Sequence, residues 1–342
     1  MKIGVLTGGG DCPGLNAVIR AVVRKAHKSG SQVIGVRNGW QGLLDNSYIE
    51  LDTKTASGIL HLGGTIIGTS RCNPFKDAGG AETVMKNFRL MGLEGLVVIG
   101  GEGTMGCTAR FSELGLPVVG VPKTIDNDLF GTDFTFGFDT AVSIATEAID
   151  RIHTTAEAHN RVMLVEVMGR HVGWIAIYAG LAGGADLTLI PEKPVDIEEV
   201  CDVIRRRHAR GKSFSVVVVA EGVDFKEGSG LEASRKDVDE FGHIRLGGIS
   251  QVLAREIEHR TKFETRCVVL GHTQRGGTPT AHDRVLATRY GVFAAEMVLR
   301  GEFGRMAALR GNEIVSIPLS EVAGKLKTVD MGIYGLAGTF FG

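Results

Sequence analysis

Two short segments about twenty residues apart hold the residue types best suited to chemistry: Gly100-Gly101-Glu102-Gly103-Thr104 and Pro122-Lys123-Thr124-Ile125-Asp126-Asn127-Asp128. In the first, glycines leave successive backbone N–H groups open to phosphate oxygens, and a helix starting there turns its positive end toward an anion. Glu102 would then face phosphate, which makes electrostatic sense with a bridging cation. Mg²⁺ suits that place, since it takes few protein oxygens and keeps waters. In the second, Asp126 and Asp128 flank an amide. Such an acidic knot is poorly suited to a core unless it meets cations or moves protons. Taken singly, each segment also reads as an ordinary turn; together they supply the phosphate cradle and the carboxylates that phosphoryl transfer needs.

The elements that must position these segments are legible around them. Apolar runs at 96–99 and 117–121 predict buried strands, so both segments lie at the carboxyl ends of strands, where open α/β sheets place their ligands. A helix is expected over 105–114. At the start of the chain, 3–6 reads as a strand, the Thr7-Gly8-Gly9-Gly10-Asp11-Cys12-Pro13-Gly14 stretch as a turn, and 15–28 as an amphipathic helix striped by Leu15, Val18, Ile19 and Val22. Further strands are expected at 33–36, 162–167, 187–190, 214–220 and 267–270, with helices between most of them. This β-then-α alternation predicts an α/β fold of mostly parallel sheets with helices on both faces, and the length divides it into two such doubly wound units. The polar, turn-rich stretch 222–248 reads as a surface insertion.

Composition narrows the partners. The chain has 342 residues, enough for two domains around real cores, and its 49 glycines with only 6% aromatics suit many tight strand-to-helix turns. A formal net charge of −1 gives neither a nucleic-acid footprint nor a basic membrane-binding surface, so a small-molecule partner is expected. Five scattered cysteines, Cys12, Cys72, Cys107, Cys201 and Cys267, lack CxxC spacing, which argues against a disulfide framework or a zinc site. The expected compartment is reduced cytoplasm. No run approaches the roughly 20 apolar residues of a membrane span.

With these segments placed, the sequence resembles the phosphofructokinases over nearly its whole length. The strings that carry the resemblance are GVLTGGGDCPGLNAVIR, GGTIIGTSR, GGEGT, PKTIDND, HNRVMLVEVMGR and VVLGHTQRGGTP. The longer ones are similar to the actinobacterial branch, which mixes ATP and pyrophosphate enzymes. The resemblance implies two similar domains with an active site in the cleft between them and a tetrameric assembly. It divides the chain into a donor (ATP)-binding domain of 1–137 plus 274–325 and a fructose 6-phosphate-binding domain of 138–273 plus 326–342. The implied reaction is transfer of a terminal phosphoryl group to the C1 hydroxyl of fructose 6-phosphate, the committed step of glycolysis.

The resemblance also assigns roles. It makes Asp126 the base that takes the C1 hydroxyl proton, with Asp128 supporting its position and the cation. Glu102 is the implied Mg²⁺ ligand, where most of the family carry aspartate. Arg170 and Thr124 are implied to offset charge on the phosphoryl group in flight. Ile125, Met168 and Gly169 line the acceptor in the implied site, and Glu221 contacts a sugar hydroxyl. Arg161, Arg266, His272, Thr273, Gln274 and Arg275 match the clamp on the sugar 6-phosphate, with Arg161 and Arg266 coming from a neighbouring subunit. Charge-assisted hydrogen bonds contribute roughly 1.5–3 kcal/mol each, so several converging on a dianion account for binding without a large apolar pocket. Gly10, Arg71, Cys72, Gly101, Gly103, Thr104 and Lys123 match donor contacts, and Trp40 stands where an aromatic lines that cleft. Trp40 and Cys72 also read as plain packing residues.

Two positions speak to the donor in opposite senses. Gly103 is the glycine of ATP users, where pyrophosphate users carry an aspartate that fills the space. Lys123 is the lysine of pyrophosphate users. Gly103 is the stronger determinant, because a carboxylate excludes ATP by volume and charge while a lysine can serve either donor. A family effector site is only partly matched, by Arg20, Arg24, Arg210, Lys212 and the shorter carboxylate Asp186, whereas Thr53, Gly58 and His153 depart from it. Two other classes compete: a non-catalytic sugar-phosphate sensor, and an NAD or lipid kinase with a similar glycine loop. Intact Asp126 and Arg170 argue against the first, and the TIDND and HTQRGGTP strings against the second.

Overall fold

The apolar runs become strands in the computed structural model, which describes residues 1–229, 231 and 248–342. In chain order these are β1 (Lys2–Thr7), β2 (Gln32–Val36), β3 (Tyr48–Leu51), β4 (Gly95–Gly100), β5 (Val118–Pro122), β6 (Val162–Val167), β7 (Leu187–Leu189), β8 (Ser215–Ala220), β9 (Thr265–Val269), β10 (Arg305–Arg310) and β11 (Glu313–Pro318). Helices occupy most of the intervals, as the alternation predicts, and none among the described residues is long and apolar enough to cross a membrane. The expected surface insertion at 222–248 falls largely outside the described residues.

The chain folds as two compact units. The first comprises Met1–Thr140 and Arg275–Lys327. Its sheet runs β11-β10-β5-β4-β1-β2-β3, with a parallel centre and antiparallel edges at β3 and β11. Val5, Val97, Val98, Ile99, Val118 and Val119 are wholly enclosed, as central parallel strands covered on both faces require. Periodicity did not reveal β3, β10 and β11, whose outer residues are partly exposed; of their pairings only that of β10 with β5 joins strands distant in sequence. The second unit comprises Ala141–Gln274 and Thr328–Gly342, around the all-parallel sheet β7-β8-β6-β9. Here the buried Glu166 of β6 accepts from the N–H and hydroxyl of Ser250, at 3.0 and 2.6 Å, and so caps the helix Ile249–Thr261. Leu326 and Lys327, expected with the second domain, belong to the first unit, where Leu326 forms an antiparallel bridge with Leu129.

Candidate active site

In the first unit, the parallel pairing of β1 with β4 and of β4 with β5 brings three turns to one end of the sheet. The helix expected at 105 starts earlier, spanning Glu102–Glu113, so Glu102, Gly103 and Thr104 form its first turn. Gly101, its N-cap, has no side chain to satisfy the first N–H groups, which remain available to an anion. Thr104 is wedged beneath: a Cβ on Gly100 would lie 2.3 Å from its Cβ, and one on Gly8 2.9 Å from its hydroxyl. The paired glycines thus let β1 and β4 close on this threonine. Gly103 is exposed, and a Cβ there would meet nothing within 4 Å; Gly106, one turn on and not singled out from the sequence, is equally open.

The first glycine turn lies against this helix start. Gly9 N–H donates to the Ser70 carbonyl at 2.8 Å and Thr69 donates to the Gly9 carbonyl at 2.7 Å, which brings the stretch bearing Arg71 beside Gly10. Lys123 is only 4% exposed and its ammonium donates to the Gly10 carbonyl; burial pulls its pKa down. Arg275, grouped by resemblance with the 6-phosphate clamp, lies in the first unit beside the first glycine turn. A Cβ on Gly10 would lie 2.7 Å from its Nη1, and that nitrogen approaches the Asp11 carbonyl at 3.4 Å. Trp40 is not a cleft residue: it is 2% exposed and stacks on Phe111 at 4.7 Å inside the core. Cys72 likewise packs against that core, and burial raises its thiol pKa.

The acid loop follows β5. The Thr124 hydroxyl accepts from the backbone N–H of Asp126 at 3.1 Å, and it favours the charged form of the nearby Asp128 carboxylate. Burial first, then repulsion from Asp126 and Glu102, pushes Asp128 up to about 7. Its Oδ1 is buried without a hydrogen-bond partner, the state of an oxygen that a cation or a proton would satisfy. No three His, Cys, Asp or Glu side chains among the described residues form a ready metal cage. The fit is therefore to a cation that takes one or two carboxylates and completes its shell with substrate phosphates and water, as Mg²⁺ does. Ile125 is fully buried, its side chain 3.5 Å from where a Cβ on Gly137 would stand, so only its backbone is available to a ligand.

In the second unit, Met168, Gly169 and Arg170 follow β6. Gly169 has φ +140°, and a Cβ there would lie 2.6 Å from the Val172 carbonyl, so this turn admits only glycine. Gln274 is buried rather than facing a ligand: it accepts from Met168 N–H at 3.3 Å and donates to the Gly271 carbonyl at 3.1 Å, holding the turn from behind. Thr273 is tied to the Leu270 carbonyl at 2.6 Å, and His272 beside it is exposed. Glu221 follows β8, its N–H on the Val167 carbonyl, so it emerges at the same end of the sheet. Gly222, expected at the start of the surface insertion, instead backs this turn closely: its N–H donates to the Gly169 carbonyl at 3.0 Å.

Arg161 and Arg266 lie elsewhere. They sit at the amino ends of β6 and β9, Arg161 just before β6 and Arg266 opposite Met163, and share Glu264 at 2.8 and 2.7 Å. His272 follows the carboxyl end of the same β9. One chain therefore does not bring these arginines to His272. The partial effector set also divides. Arg20 and Arg24 lie on the helix Leu15–Lys28 of the first unit. In the second unit Asp186 is engaged by Arg207 at 2.9 Å and by Val216 N–H, while Arg210 holds the Gly342 carbonyl.

Comparison with known proteins gives the family. The family model described as Phosphofructokinase covers residues 2–298. The chain is 54% identical, over the full length of both, to a pyrophosphate–fructose 6-phosphate 1-phosphotransferase of Streptomyces coelicolor, and equally to an ATP-dependent 6-phosphofructokinase of Mycobacterium bovis. Among solved structures it is similar to phosphofructokinase of Pichia pastoris in the T-state, with TM-score 0.83 and 34% identity over 99% of this chain and 38% of that one. With a family model over most of the chain and full-length relatives at 54% identity, the chain belongs to the phosphofructokinase family.

Proposed function

We propose that this protein transfers the terminal phosphoryl group of ATP to the C1 hydroxyl of fructose 6-phosphate, giving fructose 1,6-bisphosphate and ADP. The observation that carries the reading is the meeting of Asp126, Asp128 and Glu102 at an uncapped helix N-terminus within one unit. Asp126 accepts the C1 hydroxyl proton as that oxygen forms its bond to phosphorus and the bond to the ADP oxygen breaks. The amides of Glu102, Gly103 and Thr104 receive donor phosphate, and Arg170 with Thr124 offsets charge on the group in transfer. Glu102, with Asp128 nearby, would hold Mg²⁺, which neutralises phosphate charge when bound.

Open space at Gly103 supports ATP, since nothing there excludes a nucleoside. A second reading, pyrophosphate as donor, is favoured by Lys123 at the donor turn and by the Streptomyces relative. The separation of Arg161 and Arg266 from His272 along β9 supports a 6-phosphate clamp completed by another copy, and hence a homotetramer with shared sites. The deciding experiment is the initial rate with fructose 6-phosphate and Mg²⁺, comparing ATP with pyrophosphate at matched concentrations. Turnover with ATP alone is expected. Turnover with pyrophosphate alone would reverse the donor assignment, and none with either would leave a sugar-phosphate sensor.

A further inference from the structure

The acid loop is tied from behind by a residue that no motif includes. Lys327 is the last residue of the first unit, and its ammonium donates to three oxygens of one loop: Asn127 Oδ1 at 3.0 Å, the Thr132 carbonyl at 2.9 Å and the Asp133 carbonyl at 2.7 Å. Its own N–H donates to the Asp128 carbonyl at 2.8 Å, beside the bridge between Leu326 and Leu129. Asn127, between the two catalytic-loop acids, sits at φ +52°, in the left-handed region that asparagine adopts more readily than other non-glycine residues. Its side-chain oxygen is held on both sides, accepting from Thr135 N–H at 3.1 Å as well as from Lys327. Thr135 in turn donates to the Thr124 carbonyl at 2.7 Å, so the network reaches the residue whose hydroxyl accepts from Asp126 N–H.

We propose that Lys327 is a positioning residue for phosphoryl transfer: by gathering Asn127, Thr132 and Asp133 on one ammonium it fixes the turn that aims the Asp126 and Asp128 carboxylates. This rests on the function proposed above. A compact three-donor ammonium suits three oxygens converging from different directions, whereas the planar fork of arginine does not. Removing it leaves the acids in place but free to turn, and misplacement of a catalytic group by about 1 Å costs on the order of 100-fold in rate.

The test compares wild type with Lys327→Ala and Lys327→Arg, using the donor that wild type accepts. Lys327→Ala should lower kcat by about 30- to 100-fold with the KM for fructose 6-phosphate changed less than about threefold. Added ethylammonium should restore part of kcat, and tetramethylammonium, which cannot donate, should not. Lys327→Arg should recover less than ethylammonium does. Hydrogen exchange of the amides from 126 to 135 should accelerate in Lys327→Ala without a global loss of protection. The inference is overturned if kcat of Lys327→Ala stays within twofold of wild type, if neither amine restores it, or if exchange in the loop is unchanged. Should wild type turn over neither donor, the enzymatic reading fails; accelerated exchange in the variant would then still support the anchoring, and unchanged exchange would sink both.

Discussion

The Lys123 ammonium donates to the carbonyl of Gly10, so the lysine that resemblance links to pyrophosphate is engaged with the first glycine turn. Burial lowers its pKa, and a neutral replacement removes both the charge beside the donor and the tie to the turn. Lys123→Met is expected to raise the donor KM, leaving the KM for fructose 6-phosphate within about twofold. A charge-assisted bond of roughly 1.5–3 kcal/mol corresponds to about 10- to 100-fold if the ammonium contacts the donor directly. A rise below about threefold would mark the lysine as a prop of the turn alone. Steady-state kinetics with both donors gives the answer.

Gly103 separates volume from stability. Because a side chain there enters open space on the first turn of the helix, Gly103→Asp should change stability by less than about 0.5 kcal/mol, helped by the favourable position of an acid at a helix N-terminus. Facing donor phosphates, the same carboxylate should reduce kcat/KM for ATP by about 100-fold or more through like-charge repulsion. Unaltered ATP turnover in a well-folded variant would remove Gly103 as the donor determinant.

Asp128 predicts a pH-dependent cost. Its folded-state pKa is raised from 3.8 to about 7, so between those values the folded protein holds a proton that the unfolded chain has released. Stability from this group therefore falls as pH rises through that window, and the ionised carboxylate is a liability above it. In the absence of divalent cations, Asp128→Asn should melt higher than wild type at pH 8, with the gap narrowing toward pH 4. Thermal denaturation at both pH values checks this; a gap that is constant or widens on acidification would contradict it.

The two arginines at the amino ends of β6 and β9 predict complementation between chains. Asp126→Asn and Arg161→Ala should each be nearly inactive alone, Asp126→Asn by about 100- to 10,000-fold for loss of a base. Unfolded together in equal amounts and refolded, they should regain activity, up to about a quarter of wild type if each site pairs one chain's acid loop with another's arginines at random. Simple mixing without subunit exchange should regain none. Failure of the co-refolded material, with tetramers verified by sedimentation, would place both residues in one chain's site.

The chain's own order of residues determined the class and the chemistry. Runs such as Leu96-Val97-Val98-Ile99 are strands because only continuous apolar side chains tolerate burial on both faces, and the glycines and acids after them need no distant partner to be recognised. What depends on long-range packing was hidden. The hairpin of β10 and β11 turns on Gly311 and Asn312, a local signal, but its place beside β5 is set by tertiary pairing. Trp40 is an aromatic whose burial depends on Phe111, 71 positions away. Gln274 and Lys327 hold functional turns through bonds spanning 106 and 200 positions. Arg161 and Arg266 carry the same charge whether they face a substrate or a neighbouring chain, and only the parallel register of β6 and β9 sends them to the end of the sheet opposite His272. Sequence thus determined which groups are present, because residue type fixes charge, volume and protonation; the tertiary structure decided their direction, because direction comes from partners that the local chain does not contain.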